Sequence, residues 1–336
     1  MGTKPDSLSP EYRIHGGPRS LFTRKLEAAF VFYGLPWTAV PRGIGNDVIG
    51  QRAGTHQIPI LETPEGWAIG DTTPILDLLD ARVPDQRLFP EGPLGVLVHL
   101  VEEILDEWVA RVMVHYRWHY LENTLHVIEE FAGKKMSLAE ASAHPVAQWG
   151  PRACRATGTE HEAQQKAAET EYLKLLDVLD QQLDQTPFAL GHRPTAVDAI
   201  LLGGLHAHTL ADPIPDLKAY RRVVAWAEEG AFRQAEELGD GSLAPFPEAT
   251  PFAQHVLALG ADQYAPFVLA NARALSEGRK AFEIETYGEP TSYLARPYPE
   301  QSRRMIQRRI RDRLTATERA DVQVWLEDLG LSCFLS

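Results

Sequence analysis

This sequence of 336 residues contains little cysteine and has no excess of positive charge. Cys154 and Cys333 are the only cysteines and lie far apart, so they signal neither a disulfide framework nor a zinc site built from cysteines. The 33 basic residues are outnumbered by 46 acidic ones, which gives a formal net charge of −13. Because nonspecific nucleic-acid binders carry a positive face, nucleic acid is not an expected partner.

Long apolar runs are also missing. A membrane-spanning helix needs about 18 consecutive apolar residues, and no stretch approaches that length. The first twenty residues contain no apolar core typical of a signal peptide. We therefore expect a soluble cytoplasmic protein without a membrane partner. The sequence does contain 44% hydrophobic residues, enough for two globular domains that each have a core.

Residues 10–82 combine strand and helix signals, and we expect them to form one domain. Apolar alternation, Gly/Pro turn signals and helical spacing predict the order strand, helix, strand, loop, hairpin, helix. The corresponding segments are Tyr12–His15, Phe22–Tyr33, Trp37–Val40, the apolar runs Ile58–Leu61 and Trp67–Ile69, and a helix from Asp71 through Leu79.

After a proline-rich linker at 83–93, the pattern becomes purely helical. Long apolar stripes predict an all-helical domain over 94–235, with a third helix that begins at Thr195 and is capped by Asp198. We expect residues 236–336 to form a helical extension packed on the bundle, because it contains several large apolar residues: Phe267, Val268, Leu269, Trp325 and Leu326. The basic stretch from Arg303 to Arg313 is expected to be a solvated helix face.

Four short motifs carry a resemblance to a known family. They are Ser20–Lys25 (SLFTRK), Gln57–Leu61 (QIPIL), the pair Asp71-Thr72, and Gly191–Asp198 (GHRPTAVD). In this order and spacing, over roughly residues 10–230, they resemble motifs of the cytosolic glutathione transferases. The resemblance implies an α/β thioredoxin-like domain followed by an all-α helical bundle domain, the glutathione-transferase fold.

The resemblance also implies a glutathione site with named residues. Proline is unusual inside a strand, and the family has a cis peptide at the position of Ile58-Pro59, where the backbone of Ile58 would pair with the cysteinyl backbone of glutathione. Gln57 would lie beside the glycine end of the tripeptide. The alternative is an edge-strand proline in trans without a ligand.

Asp71 and Thr72 precede a Thr-Pro pair that indicates a helix N-terminus. Free N–H groups at such a terminus attract a carboxylate. By the resemblance, Thr72 would hold the γ-glutamyl carboxylate and Asp71 the ammonium group. The alternative is that one of them only caps the helix.

Ser20 stands where the family has the hydroxyl or thiol that acts on the sulfur of glutathione. A hydroxyl donor at a helix N-terminus would favour the thiolate, which is the nucleophile. The sequence has Leu21 where the family has proline, Thr23 and Arg19 are rival donors, and Ser20 alone can be a structural cap. A serine rather than a cysteine favours conjugation or addition over thiol–disulfide chemistry.

The second substrate is expected between the domains, beside the first long helix. Arg111, His115, Tyr116 and His119 are the predicted contacts, and the alternative is that they only pack in the interface between the domains. His115, His119 and Glu122 share a helical face and could be read as metal ligands, but no other ligand cluster accompanies them, so no metal is predicted.

These expectations give a glutathione-dependent transferase that acts on a small hydrophobic electrophile, with an aromatic one expected. Glutathione is the cosubstrate, the assembly is a homodimer, and the role is detoxification. Two alternatives stay open: a catalytically silent member used for binding or assembly, and a glutathione-dependent lyase, isomerase or ether-cleaving enzyme.

Overall fold

The computed structural model describes residues 11–42, 47–238 and 241–335. Its strands are β1 (Tyr12–Gly16), β2 (Trp37–Pro41), β3 (Ile60–Glu62), β4 (Ala68–Gly70), β5 (Ala281–Thr286) and β6 (Glu289–Leu294). Its α-helices are α1 (Leu21–Phe32), α2 (Val48–Ala53), α3 (Thr72–Arg82), α4 (Gly92–Glu103), α5 (Arg111–His119), α6 (Leu121–Ala132), α7 (Leu138–Ala143), α8 (Trp149–Thr157), α9 (Glu162–Gln182), α10 (Ala196–Gly204), α11 (Arg221–Ala225), α12 (Ala231–Leu238), α13 (Pro251–Leu259), α14 (Ala265–Ser276), α15 (Pro297–Arg313) and α16 (Ala316–Leu329). None of the helices in these ranges is long and apolar enough to cross a membrane.

The N-terminal sheet has the order β2-β1-β3-β4, with β1 and β2 parallel and the other pairs antiparallel. The predicted order of strands and helices and the predicted fold class are confirmed. The short helix α2 was not predicted and begins where the Asp47 side chain accepts a hydrogen bond from the Gly50 N–H at 2.9 Å. That capping bond orders part of the expected loop.

The predicted first long helix is interrupted. A π-helical segment, Ile104–Val109, separates α4 from α5. A π-helical turn carries one more residue than an α-helical turn, so it rotates the side chains that follow it. Further along, Thr195 and Asp198 form the predicted capping box of α10, in which Asp198 Oδ2 accepts from the Thr195 N–H at 2.8 Å.

The sheet domain and the helical domain meet where α1 packs on α10. Gly203 makes this close approach possible, because a Cβ atom there would lie 2.6 Å from the backbone oxygen of Leu21. Buried side chains of both domains and of residues 251–334 belong to one continuous hydrophobic core. The division of the chain at residues 82, 94 and 235 stays a prediction.

The prediction of a helical extension is wrong in one part. Strands β5 and β6 form an antiparallel hairpin, joined by Tyr287 and Gly288, which both have positive φ. Phe267, Val268 and Leu326 are buried and Trp325 is partly buried, whereas Leu269 is 50% exposed and does not belong to the core.

The basic stretch is also less solvated than predicted. Arg309 of α15 is buried, lies 4.8 Å from the centre of the Phe89 ring and forms an ion pair with Asp77 at 2.8 Å. Burial removes water from the Arg309 guanidinium, and the contacts with Asp77 and the Phe89 ring compensate for that lost hydration.

Candidate functional site

A cavity of about 370 Å³ lies between the N-terminal domain, the π-helical segment, α8 and the extension. It is lined by all five residues predicted to bind glutathione, together with residues of the π-helical segment, α8 and the extension. Its lining residues are Phe22, Gln57, Ile58, Pro59, Asp71, Thr72, Asp106, Glu107, Arg152, Ala156, Leu294, Ala295, Arg296, Pro297 and Tyr298.

The Ile58-Pro59 bond is cis, as predicted, so the trans alternative is wrong. Pro59 does not interrupt a strand, because β3 begins at Ile60. Neither the N–H nor the C=O of Ile58 makes a hydrogen bond within the described ranges, so both are available to an extended peptide. The Gln57 carbonyl, by contrast, accepts a bond from Arg42 Nη1 at 2.5 Å.

Asp71 lies directly before α3, with φ of 70°, and its side chain makes no capping hydrogen bond. Asp71 occupies the cap position, and the backbone N–H groups of Thr72 and Thr73 lie close enough to its carboxylate to favour the ionised form. Burial, and then the nearby charge of Asp106, raises the pKa of Asp71 to about 6. Thr72 is buried at the first position of α3.

Asp106 and Glu107 of the π-helical segment form the acidic floor of the cavity. The fully buried Lys25 donates to Asp106 at 2.5 Å and also to Glu102. Glu107 pairs with Arg296 at 2.7 Å, and burial raises its pKa to about 7. Sequence reasoning missed these residues. The available signal was a set of acids inside an apolar stripe: Glu102, Glu103, Asp106 and Glu107.

Ser20 is the N-cap of α1, and its hydroxyl oxygen accepts from the Thr23 N–H at 3.3 Å. In the part of the chain that the structure describes, its hydroxyl hydrogen has no acceptor, so it can donate to a ligand. Ser20 does not line the cavity, although Phe22 does.

The two rival donors have other partners. The Thr23 hydroxyl is buried and accepts from the Gly17 N–H at 3.3 Å. Arg19 forms an ion pair with Asp212 at 3.1 Å and a hydrogen bond with His126 at 2.8 Å. The polar groups of Thr23 and Arg19 are therefore engaged in contacts within the protein.

None of the four residues predicted to contact the second substrate lines this cavity. Arg111 is buried, where it pairs with Glu171 and donates to the Tyr287 hydroxyl at 2.6 Å. His115 and Tyr116 are buried too, and His119 is exposed. The cavity meets the long helix at its π-helical segment, about one to three turns before these residues, so their contact with a second substrate stays a prediction.

His115 and His119 do meet, with their Nδ1 atoms 3.0 Å apart, and His115 Nε2 lies 2.6 Å from Glu169. Among the described residues, no group of three His, Cys, Asp or Glu side chains is arranged to hold a metal ion.

A second, larger groove of about 480 Å³ lies between α3, the segment before α4, and α15. Its three arginines all have carboxylate partners: Arg309 and Arg313 both pair with Asp77, and Arg87 pairs with Glu91. It holds none of the predicted site residues.

Comparison with known proteins finds a family match over the N-terminal part of the chain, which contains the five predicted glutathione-binding residues. Residues 14–87 match the family described as Glutathione S-transferase, N-terminal domain. A search of curated proteins found no match.

Among solved structures, the chain is similar to a glutathione S-transferase from Rhodospirillum rubrum F11, with 16% identity, a TM-score of 0.47, and coverage of 73% of this chain and 99% of that one. It is also similar to a glutathione S-transferase from Methylobacillus flagellatus KT with GSH bound, with 15% identity, a TM-score of 0.45, and coverage of 67% and 98%. A third similar structure, from Methylobacterium radiotolerans JCM 2831, is a complex with glutathione sulfonate, with 18% identity, a TM-score of 0.43, and coverage of 70% and 97%.

Proposed function

We propose that this chain is a member of the glutathione S-transferase superfamily, whose N-terminal domain model matches residues 14–87, and that it is a glutathione-dependent transferase acting on a small hydrophobic electrophile. One observation carries this proposal: all five residues expected to bind glutathione line one cavity. The cytoplasmic location, homodimer and detoxification role stay predictions of the family resemblance.

In the proposed complex, each part of glutathione has a partner. The free N–H and C=O of Ile58 pair with the cysteinyl backbone, and Gln57 lies beside the glycine end. The ammonium group pairs with Asp71, whose carboxylate has no salt bridge within the described residues. The γ-glutamyl carboxylate binds at Thr72, where the N-terminus of α3 favours an anion.

Catalysis follows from stabilising the thiolate and holding it beside the electrophile. The Ser20 hydroxyl donates to the sulfur at the N-terminus of α1, where the helix dipole also favours negative charge. The electrophile lies against the apolar part of the same cavity, which includes Phe22 and Leu294.

A second candidate is a binding module without turnover. It is favoured by one observation, that Ser20 acts as a helix cap and does not line the cavity. This candidate also predicts glutathione binding, so the two differ only in chemistry.

The test combines glutathione calorimetry with turnover of 1-chloro-2,4-dinitrobenzene. We expect the wild-type protein to do both, and Ser20→Ala to bind glutathione nearly as well while turnover falls roughly ten- to a thousandfold, since one donor to the developing thiolate is lost. Thr23→Val is the matched control for a nearby hydroxyl and should retain turnover.

The outcomes separate the candidates. Glutathione binding without turnover in the wild-type protein would support the binding module. A normal rate in Ser20→Ala, with turnover lost in Thr23→Val, would transfer the donor role to Thr23. Absence of glutathione binding would reject both candidates.

A further inference from the structure

The side of the cavity opposite the N-terminal domain is built by α8 and the extension. Arg152 and Ala156 come from α8, and the five consecutive residues Leu294–Tyr298 come from the end of β6 and the start of α15. The extension therefore supplies a wall of the site as well as part of the core.

This wall is fixed by hydrogen bonds. The fully buried Asn271 side chain accepts from the Arg296 N–H and donates to the Arg296 carbonyl, both at 2.8 Å. The Ala295 N–H donates to the Lys280 carbonyl at 2.9 Å. The Tyr298 hydroxyl lies 3.4 Å from the Thr55 hydroxyl of the N-terminal domain. These hydrogen bonds hold the backbone of residues 294–298 in place, so the side chains of this wall face a ligand in a defined arrangement.

The end of α8 is attached to the same wall. Gly158, which follows α8 with φ of 69°, lies against the ring of Tyr293, and a Cβ atom on it would lie 2.2 Å from that ring. This contact holds the end of α8, the helix that carries Arg152, against β6.

Pairing of the charges around the cavity leaves two without a partner. Asp106 pairs with Lys25, which also pairs with Glu102, and Glu107 pairs with Arg296. Within the residues that the structure describes, neither Asp71 nor Arg152 forms a salt bridge. A cavity with one free anion and one free cation suits a ligand that carries both charges.

We infer that Arg152 and the apolar residues beside it form a subsite for an acceptor that carries a carboxylate. This inference rests on the proposed function, which assigns Asp71 to the ammonium group of glutathione. Ala156 and Leu294 contact the apolar body of the acceptor, and the Arg152 guanidinium binds its carboxylate with two parallel N–H donors.

The glycine end of glutathione is the other source of a carboxylate. In the proposed complex that end lies beside Gln57, on the N-terminal domain, whereas Arg152 lies on the helical side with Leu294. The acceptor is therefore the source that we assign, and the experiment distinguishes the two.

The experiment measures binding, so it does not depend on turnover. Calorimetry compares glutathione, S-(2,4-dinitrophenyl)glutathione and S-(4-carboxy-2-nitrophenyl)glutathione, in which a carboxylate replaces the 4-nitro group. In Arg152→Gln, we expect the affinity for the carboxylated conjugate to fall about tenfold, with the other two affinities unchanged. Raising the salt concentration should reduce this difference, since Arg152 is exposed to solvent.

Arg155→Gln is the matched control, because Arg155 lies on the same helix, pairs with the exposed Glu160 and does not line the cavity. It should leave all three affinities unchanged.

Two results would overturn the inference while leaving the proposed function intact. In the first, Arg152→Gln changes none of the affinities. In the second, it weakens all three ligands equally, which would assign Arg152 to the glycine carboxylate that they share. If the wild-type protein binds none of the three ligands, the proposed function fails and the inference fails with it.

Discussion

Asp71 is the residue whose ionisation should control ligand affinity. Its pKa is raised to about 6, first by burial and then by Asp106, so it is ionised at pH 7 and mostly protonated at pH 5. Only the ionised form attracts an ammonium group, so affinity is present above this pKa and lost below it. We expect glutathione affinity to fall by up to about tenfold between pH 7 and pH 5.

Calorimetry at pH 5, 6 and 7, at constant ionic strength, checks this prediction. The carboxyl groups and thiol of glutathione ionise outside this range. Asp71→Asn should bind weakly at all three values, because its side chain stays neutral. An equal pH dependence in Asp71→Asn and the wild-type protein would show that another group is responsible.

Among individual residues, the sequence predicted those cavity residues that belong to short local motifs. Gln57 to Pro59 and Asp71-Thr72 were found because turn and helix-start signals place them without knowledge of the rest of the chain. Arg152 and Tyr298 were not found, since nothing in their neighbourhood indicates that two segments almost 150 residues apart meet at one cavity.

Among the elements, the contact of α1 with α10 depends on a single glycine. Gly203→Ala should destabilise the protein, by about 1–3 kcal/mol, because the new methyl group would press on the α1 backbone at Leu21 and Lys25. Gly204→Ala is the matched control, since its methyl group would lie 3.0 Å from the flexible end of Met113 and at ordinary contact distance, 3.8 Å, from Cδ1 of Leu21. Alanine otherwise favours a helix over glycine.

Thermal unfolding of the two variants provides the measurement. A lower melting temperature is expected for Gly203→Ala, and an unchanged or higher one for Gly204→Ala. If both substitutions raise the melting temperature equally, the close packing of α1 on α10 does not require glycine at position 203.

Two elements were missed in the sequence for different reasons. The hairpin had its signal, because Phe282 and Ile284 alternate with Glu283 and Glu285 before a turn that contains glycine, and this pattern is typical of a strand. The π-helical segment Ile104–Val109 had almost none, since one extra residue in a helical turn barely changes the apolar spacing.

For the whole molecule, the extension and the helical domain should unfold together. Trp108 is buried against three aromatic residues of the extension, Tyr264, Phe267 and Tyr293, with ring centres 5.7–6.4 Å away. Phe267→Ala should lower the free energy of unfolding by about 3–5 kcal/mol, because it leaves a cavity in this shared core.

Leu269→Ala is the control for the same helix, since Leu269 is half exposed and its loss should cost little. Chemical denaturation measures both variants, and limited proteolysis of the wild-type protein should not trim the chain near residue 235. Rapid trimming there, with a core of undiminished melting temperature, would contradict the shared core.

The cavity also has a consequence for synthesis of the protein. Its walls come from residues 57–72, 106–107, 152–156 and 294–298, so the last wall is synthesised more than 200 residues after the first. Domains fold in order from the N-terminus during translation. In the proposed complex glutathione contacts only the N-terminal domain, so it can stabilise that domain before the wall at residues 294–298 has been made, whereas the acceptor needs both.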